Sequence, residues 1–153
     1  MKIYIMRHGP AENDAPSGQD ADRQLTTAGR DRVRHVVREL IRRGKSPHIV
    51  LSSPLVRARQ TAEIVVEEAG LPSSALELKN ELAMTGSARA LVRDVVAAKR
   101  KRAVLVGHEP ELSALVFELT GISIIMQKAM VVAVACKDDG TFRLKFVIDP
   151  KEL

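Results

Sequence analysis

The sequence opens with the stretch Lys2-Ile3-Tyr4-Ile5-Met6-Arg7-His8-Gly9-Pro10. Residues 3–6 form a short apolar, β-prone run, and Gly9-Pro10, a dipeptide that favours turns, follows shortly after. This pattern is typical of a buried strand. Arg7 and His8 therefore follow at the carboxyl end of that strand. Ligands of open α/β sheets bind beside the carboxyl ends of the strands, so a cation and an imidazole at this position indicate an anion site. Gly9 would let the backbone approach the bound group closely.

A second stretch of the same design occurs later in the chain: Ala103-Val104-Leu105-Val106-Gly107-His108-Glu109-Pro110. Here too an apolar strand leads into a turn with glycine and histidine, and a helix is predicted to follow. Either stretch alone would also fit a surface turn with solvated side chains. The repetition of the design favours one pocket that is shared by His8 and His108.

The composition predicts a globular protein with one domain, residues 1–153. Hydrophobic residues make up 45% and charged residues 28% of the chain, which separates it from disordered sequences. No apolar run approaches the ~20 residues of a membrane-spanning helix. The amino terminus is predicted to be a strand and carries no secretory signal pattern, so we expect a cytoplasmic protein with no membrane partner. The single cysteine, Cys136, excludes an internal disulfide and a cysteine-based metal cluster.

The formal net charge of +5 favours anionic partners. The densest basic run, residues 99–102, connects a predicted helix with a predicted strand, and we interpret it as a solvated turn. Aromatic residues are only 3% of the chain, too few to provide a platform on which bases would stack. We therefore expect no nucleic-acid partner.

Alternating β-prone runs and helical periods predict a mostly parallel sheet that is covered by helices. Apolar residues at helical spacing between positions 33 and 41 predict a helix, for which Thr26 is the expected cap and Gly44 the expected stop. Asp138-Asp139-Gly140 separates the last two β-rich runs and predicts a hairpin. The predicted fold class is α/β, a three-layer α/β/α sandwich with a mostly parallel sheet and an antiparallel C-terminal element. The predicted strands are 3–6, 48–52, 75–78, 103–106, 129–136 and 141–148, and the later helices begin at Pro54, near Leu91 and at Pro110.

The turn after the second strand places two arginines near the expected anion site. Ser53 and Pro54 are predicted to cap and start a helix, whose amino terminus would offer free amides and partial positive charge beside the strand end. Arg57 and Arg59 then fall on opposite flanks of the buried face of this helix, and periodicity alone does not choose between them. The first turn is nearest the strand ends, which slightly favours Arg57.

The segment 11–24 is polar, small and acidic, with no sustained period, so it is predicted to be a loop over the strand ends. Arg23 and Asn13 are the residues there that could turn toward an anion. Of the remaining histidines, His35 lies on a basic helix and His48 opens a strand, and we interpret both as structural or solvated.

The chain resembles the histidine phosphatase superfamily, also called the phosphoglycerate-mutase-like family, whose signature is an Arg-His-Gly after the first strand. The resemblance extends over almost the whole chain and includes Arg7-His8-Gly9, the run 25–29, the run 52–62, Glu81 and Val106-Gly107-His108. Larger members carry insertions that form a substrate lid, and this chain lacks them. It therefore looks most like the small bacterial phosphohistidine phosphatases.

The resemblance implies roles for individual residues. The implied catalytic residues are His8, Arg7, Arg57, His108 and Glu81, and those implied to bind the substrate are Arg7, Gly9, Arg23, Arg57 and His108. His8 would be the nucleophile that forms a phosphohistidine intermediate, while both arginines and the second histidine hold the phosphate oxygens. The match to the family arginine selects Arg57 over Arg59. Arg23 matches an arginine found before the Leu-Thr motif in small relatives, and Asn13 matches an asparagine of many larger ones.

The implied chemistry requires no cofactor. Phosphoryl transfer asks the protein mainly to position the nucleophile and to stabilise charge on the phosphate oxygens. A neutral His8 could attack near pH 7 if an acceptor held its other ring nitrogen, whereas His108 is more useful protonated. The acidic residues form no obvious cluster for a cation, so we expect a metal-independent enzyme.

The expected substrate is phosphohistidine on a signalling or phosphotransfer protein. An imidazole leaving group accepts a proton near neutral pH, so it demands less of a general acid than an alkoxide does. Glu81 is the credible acid, and the residues after it, 82–86, include no long insertion that would close over a small metabolite. Two alternatives remain open: a phosphatase of small phosphomonoesters such as sugar phosphates, and a phosphate-binding module without catalysis. The sequence does not indicate an oligomeric state.

Overall fold

A six-stranded sheet forms the middle of the computed structural model, which describes residues 1–43 and 46–153. In chain order the strands are β1 (Lys2–Arg7), β2 (Ile49–Ser52), β3 (Leu76–Leu78), β4 (Ala103–Gly107), β5 (Val131–Cys136) and β6 (Phe142–Ile148). Across the sheet they lie in the order β3-β2-β4-β1-β5-β6. The turns that carry His8 and His108, called the histidine turns below, follow β1 and β4. These two strands are therefore neighbours at the centre of the sheet.

The sheet combines a parallel and an antiparallel part. β1 pairs with β4 in parallel, as do β2 with β4 and β2 with β3. β5 runs antiparallel to β1, and β6 runs antiparallel to β5. The predicted hairpin joins β5 to β6, where the Lys137 N–H donates to the Thr141 carbonyl at 2.8 Å. The predicted mostly parallel sheet with an antiparallel C-terminal element is confirmed.

Helices cover both faces of the sheet. The α-helices of the described residues are α1 (Thr27–Arg42), α2 (Val56–Glu68), α3 (Ala88–Ala97) and α4 (Glu111–Thr120). Tyr4 and Met6 of β1 pack with α1 and α2, while Ile3 and Ile5 pack with α3 and α4. Because both faces of β1 are covered, its sequence is continuously apolar rather than alternating. The three-layer α/β/α arrangement is thus confirmed, and none of these helices is long and apolar enough to cross a membrane.

Helix α1 begins where the sequence predicts. The Thr26 hydroxyl accepts a hydrogen bond from the Gly29 N–H at 2.9 Å and so caps the first turn. The helix ends at Arg42, and the predicted stop at Gly44 lies outside the described residues. Its buried stripe consists of Val33, Val36, Val37 and Leu40.

Helix α2 begins later than predicted, at Val56 with Leu55 as its cap rather than at Pro54. Ser53 instead extends the pairing of β2 with β4, because its N–H donates to the Val106 carbonyl at 3.0 Å. The Ser53 hydroxyl then accepts from the Leu55 N–H at 3.2 Å, which makes this segment a separate turn before the helix. Ser53 therefore lies among the strand ends, beside the two histidine turns.

Candidate active site

The strand ends bring two histidines together. The His8 N–H donates to the Gly107 carbonyl at 3.1 Å, so His8 leaves β1 directly beside the end of β4. His108 follows Gly107, and the centroids of the two imidazole rings lie 5.2 Å apart. Both histidines are buried. They share one site at the carboxyl ends of β1 and β4.

His8 is held in one tautomer. Its Nδ1 lies 2.8 Å from the Gly9 carbonyl oxygen, which can only accept, so we assign the ring hydrogen to Nδ1. Burial lowers the pKa of His8 to about 3; the Gly9 hydrogen bond opposes this effect, while the charges of His108, Arg57 and Arg7 add to it. At neutral pH the ring is therefore neutral, with its lone pair on Nε2. That is the form a histidine nucleophile needs.

Gly9 is required because the turn lies against α1. A β-carbon at this position would come within 2.6 Å of Val33 Cγ2 and 3.2 Å of the Gly29 carbonyl oxygen. The Gly9 N–H is already bonded to the Thr61 hydroxyl, at 3.1 Å. Packing against α1 is therefore enough to require a glycine here, and the expected close approach of its backbone to a bound group stays a prediction.

Two arginine side chains reach the site, and each is held from one side. Arg7 Nη1 donates to the Met126 carbonyl at 3.0 Å. Arg57 is only 3% exposed, and its Nη1 and Nη2 donate to the Asp20 carbonyl and Oδ2 at 2.9 and 3.1 Å. The Nε atoms of both arginines and Nδ1 of His108 are buried and have no hydrogen-bond partner among the residues that the structure describes. An oxyanion would satisfy such donors well, since charge-assisted hydrogen bonds are strong.

The geometry distinguishes the two arginines that helical periodicity leaves open. The Arg59 side chain is 43% exposed and lies 3.7 Å from Glu63 on the same helix. Arg57, in contrast, is buried and hydrogen-bonded to the loop that precedes α1. Arg57 is therefore the arginine that the fold brings to the site.

His108 is neutral in the free protein. Its Nε2 lies 2.8 Å from the Ser53 hydroxyl. Burial lowers the pKa of His108 to about 4, the charges of Arg57 and Arg7 add to the effect, and Asp20 opposes it. His108 is therefore neutral in the free protein, because burial and the nearby cations disfavour a positive charge on its ring. A phosphate dianion in the site would favour the protonated form.

The loop between β1 and α1 contributes a carboxylate that sequence reasoning missed. Asp20 Oδ1 accepts from Arg23 Nη1 at 2.9 Å, while its Oδ2 accepts from Arg57. The hydrogen bond from Arg23 is the main cause of a lowered pKa for Asp20. Arg23 Nε also donates to the Glu12 carbonyl at 2.6 Å, so Arg23 is linked to the site through the loop. Asn13 is exposed, and the aperiodic loop sequence gives no signal for the role of Asp20.

Two buried hydroxyls complete the site, and the sequence assigned them other roles. Ser53, expected as a helix cap, contacts His108. Thr61, expected only on the buried face of α2, accepts from the Gly9 N–H and donates to the Arg57 carbonyl at 2.8 Å. Both residues are fully buried. A polar residue in an otherwise apolar stretch is the signal that could have identified them.

Glu81 lies in a short 3₁₀ turn, Asn80–Leu82, beside the end of β4. The Leu82 carbonyl is 3.6 Å from the point that a β-carbon on Gly107 would occupy. The Glu81 side chain is half-buried and makes no hydrogen bond or ion pair with another residue in 1–43 or 46–153. The turn therefore holds an unpaired carboxylate near the strand end that carries His108.

The arrangement can bind a tetrahedral oxyanion next to a nucleophile. Two guanidinium groups offer charge-assisted hydrogen bonds, and a neutral imidazole offers a lone pair. In the part of the chain that the structure describes, no three His, Cys, Asp or Glu side chains are grouped as a metal site requires. His35 and His48 are exposed on the surface, outside this group.

Known proteins are similar to this chain in sequence and in fold. The family model of the histidine phosphatase superfamily (branch 1) matches residues 3–87. The phosphohistidine phosphatase SixA of Escherichia coli (strain K12) is 39% identical over 128 residues, which are 78% of this chain and 74% of that protein. An uncharacterised protein of Picosynechococcus sp. is 36% identical over 137 residues, 86% of this chain and 83% of that protein. The solved structure of the protein histidine phosphatase SixA complexed with tungstate superposes with a TM-score of 0.90, at 30% identity and 99% coverage of both chains. From the family model and these identities, the chain belongs to the histidine phosphatase superfamily.

Proposed function

We propose that this protein hydrolyses phosphohistidine on a signalling or phosphotransfer protein, through a covalent intermediate on His8. The observation that carries the proposal is the buried, neutral imidazole of His8, whose Nδ1–H is held by the Gly9 carbonyl. The charges of Arg7 and Arg57 act on this ring, and the buried Nε of each arginine has no partner among the described residues. The likeness to SixA supports the proposal, since the Escherichia coli relative is a phosphohistidine phosphatase and a solved SixA structure holds tungstate, a tetrahedral oxyanion like phosphate.

In the first step, the lone pair of His8 Nε2 attacks the phosphorus atom of the substrate. A nitrogen–phosphorus bond forms on His8 while the one on the substrate histidine breaks. The substrate imidazole leaves with the electron pair of the broken bond and takes one proton from the solvent to become neutral. Arg7, Arg57 and a protonated His108 stabilise the charge on the equatorial phosphate oxygens.

In the second step, water attacks the phosphorus atom of phospho-His8. Because the hydrogen stays on Nδ1, where it is donated to the Gly9 carbonyl, the phosphorylated ring carries a positive charge, which makes it a good leaving group. The nitrogen–phosphorus bond breaks, its electron pair returns to Nε2, and phosphate is released. One proton of the water passes to solvent, and His8 returns to its neutral form.

A substrate panel tests the proposal. The catalytic efficiency, kcat/KM, is measured on phosphohistidine proteins, a phosphoserine peptide and sugar phosphates. We expect the phosphohistidine proteins to be hydrolysed best, because an imidazole leaves without a strong general acid. A higher kcat/KM on a sugar phosphate than on every phosphohistidine protein tested would contradict the proposed substrate.

A phosphatase of small phosphomonoesters is the second candidate, and the position of Glu81 favours it. An alkoxide leaving group needs a proton donor, and Glu81 is a half-buried, unpaired carboxyl group near the His108 strand end. In our proposal Glu81→Gln lowers kcat/KM on an alkyl phosphate more than on a phosphohistidine protein. Glu118→Gln, an exposed change on α4, is the matched control. Equal losses on both substrates would show that Glu81 is not the leaving-group acid.

We also propose that hydrolysis proceeds without a metal ion or cofactor, because two arginines and a histidine supply the positive charge. Treatment with EDTA should leave kcat/KM unchanged. A loss of activity that added Mg²⁺ restores would overturn this part of the mechanism. The cytoplasmic location expected from the sequence stays a prediction.

A further inference from the structure

A chain of hydrogen bonds runs behind Arg7, away from the nucleophile. Arg7 Nη1 donates to the Met126 carbonyl at 3.0 Å. The Met126 N–H in turn donates to the Ser113 hydroxyl, also at 3.0 Å. The Ser113 N–H donates to Glu109 Oε1 at 2.8 Å, and the Ser113 hydroxyl donates to the other oxygen of the same carboxylate. The chain therefore begins at the residue after His108 and ends on a proposed phosphate ligand.

Each link of this chain is well anchored. Met126 is fully buried and packs in the hydrophobic core that includes α4. Ser113 lies on α4 itself, and Glu109 directly precedes that helix. The backbone after Met126 is tied to β1, since Arg7 N–H donates to the Met130 carbonyl at 3.1 Å. The Met126 carbonyl thus has little freedom to move, and neither does the guanidinium group that it holds.

The purely structural explanation is that Glu109 caps α4 and that Ser113 fastens the segment 121–130 to this helix. This explanation accounts for the three hydrogen bonds among Glu109, Ser113 and Met126. It does not explain why the chain continues to the guanidinium group of Arg7. The Arg7 side chain is the end of the chain, and its Nε is buried with no partner among the described residues. Glu109 also acts on Arg7 through space: burial lowers the pKa of Arg7, and the negative charge of Glu109 opposes that effect.

We propose that Ser113, together with Glu109, is a positioning residue for Arg7. The inference rests on the proposed function, in which Arg7 holds a phosphate oxygen. Ser113 fixes the Met126 carbonyl, the carbonyl fixes one edge of the guanidinium group, and the Nε edge is left to face the phosphate. The carboxylate of Glu109 keeps the hydroxyl of Ser113 oriented as an acceptor for the Met126 N–H.

The test measures the affinity for orthovanadate, a phosphate-like oxyanion, by calorimetry at fixed ionic strength. Ser113→Ala leaves the buried Met126 N–H without its acceptor, and we expect vanadate to bind about tenfold more weakly. Ser113→Thr retains the hydroxyl and should bind vanadate as the wild type does. Ser123→Ala, an exposed serine in the segment 121–130, is the control for a change that touches no link. If Ser113→Ala does not fold, Glu109→Gln carries the test, with a smaller loss expected.

A double-mutant cycle with Arg7→Lys separates positioning from general destabilisation. If Ser113 acts through Arg7, then Ser113→Ala should weaken vanadate binding less than twofold in the Arg7→Lys background. The same tenfold loss in both backgrounds would overturn the inference, as would a Ser113→Ala variant that binds vanadate with wild-type affinity. A wild-type protein that binds no vanadate would instead overturn the proposed function, and this inference with it.

Discussion

His8 and His108 are buried with pKa values of about 3 and about 4, below the ordinary 6.5. Between those values and 6.5 the unfolded chain therefore binds protons that the folded protein does not. The contribution of these two histidines to the free energy of unfolding is therefore largest above pH 6.5, the unfolded pKa. It decreases as the pH falls from 6.5 toward the folded pKa values. We expect the melting temperature, Tm, to decrease on acidification and to decrease less in a variant with both His8→Asn and His108→Asn.

The control for this pH series is His35→Asn, because His35 is exposed on α1. This variant should keep the acid sensitivity of the wild type. If the variant that lacks His8 and His108 loses Tm as steeply as the wild type, the two imidazoles are not buried in their neutral form.

Arg57 and Arg59 provide a matched pair on one helix. Arg57 is buried at the site and Arg59 is 43% exposed beside Glu63. We expect Arg57→Ala to lower kcat/KM about 10²–10³-fold, as the loss of a preorganised group that stabilises charge does. Arg59→Ala should stay within about twofold, since exposed ion pairs contribute little. Comparable losses in steady-state assays of the two variants would mean that the wrong arginine has been assigned.

At the residue scale, site residues that belong to a sequence motif could be predicted from the sequence, whereas a site residue in an aperiodic loop could not. Arg7, His8 and His108 follow apolar runs, so their position at strand ends could be predicted from the pattern. The choice of Arg57 over Arg59 needed either the resemblance or the structure. Both residues flank the buried face of the helix, and helical periodicity does not show which flank faces the site. Asp20 could not be predicted, since only the fold brings this loop residue to Arg57.

The first turn of α1 packs against the histidine turn through Gly29. A β-carbon there would lie 2.0 Å from the Pro10 carbonyl oxygen, so the helix and the turn would have to separate. Alanine favours a helix over glycine by about 1 kcal/mol. We nevertheless expect Gly29→Ala to destabilise the protein by about 1–3 kcal/mol, the usual range for overpacking. Chemical denaturation measures the effect, with Thr27→Ala at an exposed site of the same turn as control. A Gly29→Ala variant as stable as the wild type would contradict this close contact.

At the element scale, strands and helices could be predicted because their apolar periods are strong. Helix α1 begins at its predicted cap, Thr26, since the hydroxyl has a local partner in Gly29. Helix α2 does not begin at Pro54, because the Ser53 N–H is hydrogen-bonded to the Val106 carbonyl of the neighbouring strand β4. A local cap signal cannot reveal such a tertiary bond, which is why this boundary differs.

For the whole molecule, we propose that residues 1–153 unfold as one domain, because the sheet takes strands from both ends of the chain. Tyr4 is the only tyrosine of the chain, there is no tryptophan, and the Tyr4 side chain is fully buried at the centre of the sheet. Its fluorescence therefore reports on the core alone, while circular dichroism reports on all helices. We expect both signals to give the same midpoint in urea, as a two-state transition requires. Two separate midpoints would contradict a single domain.

The central claim is that His8 accepts the phosphoryl group, and rapid-quench labelling tests it most directly. The protein is mixed for a short time with a phosphohistidine protein that carries radiolabelled phosphate, and the label on the enzyme is counted after alkaline denaturation. We predict an acid-labile label on the wild type that maps to His8 and is absent from His8→Ala. Turnover by the wild type with no label on the enzyme, or the same label on His8→Ala, would contradict the account.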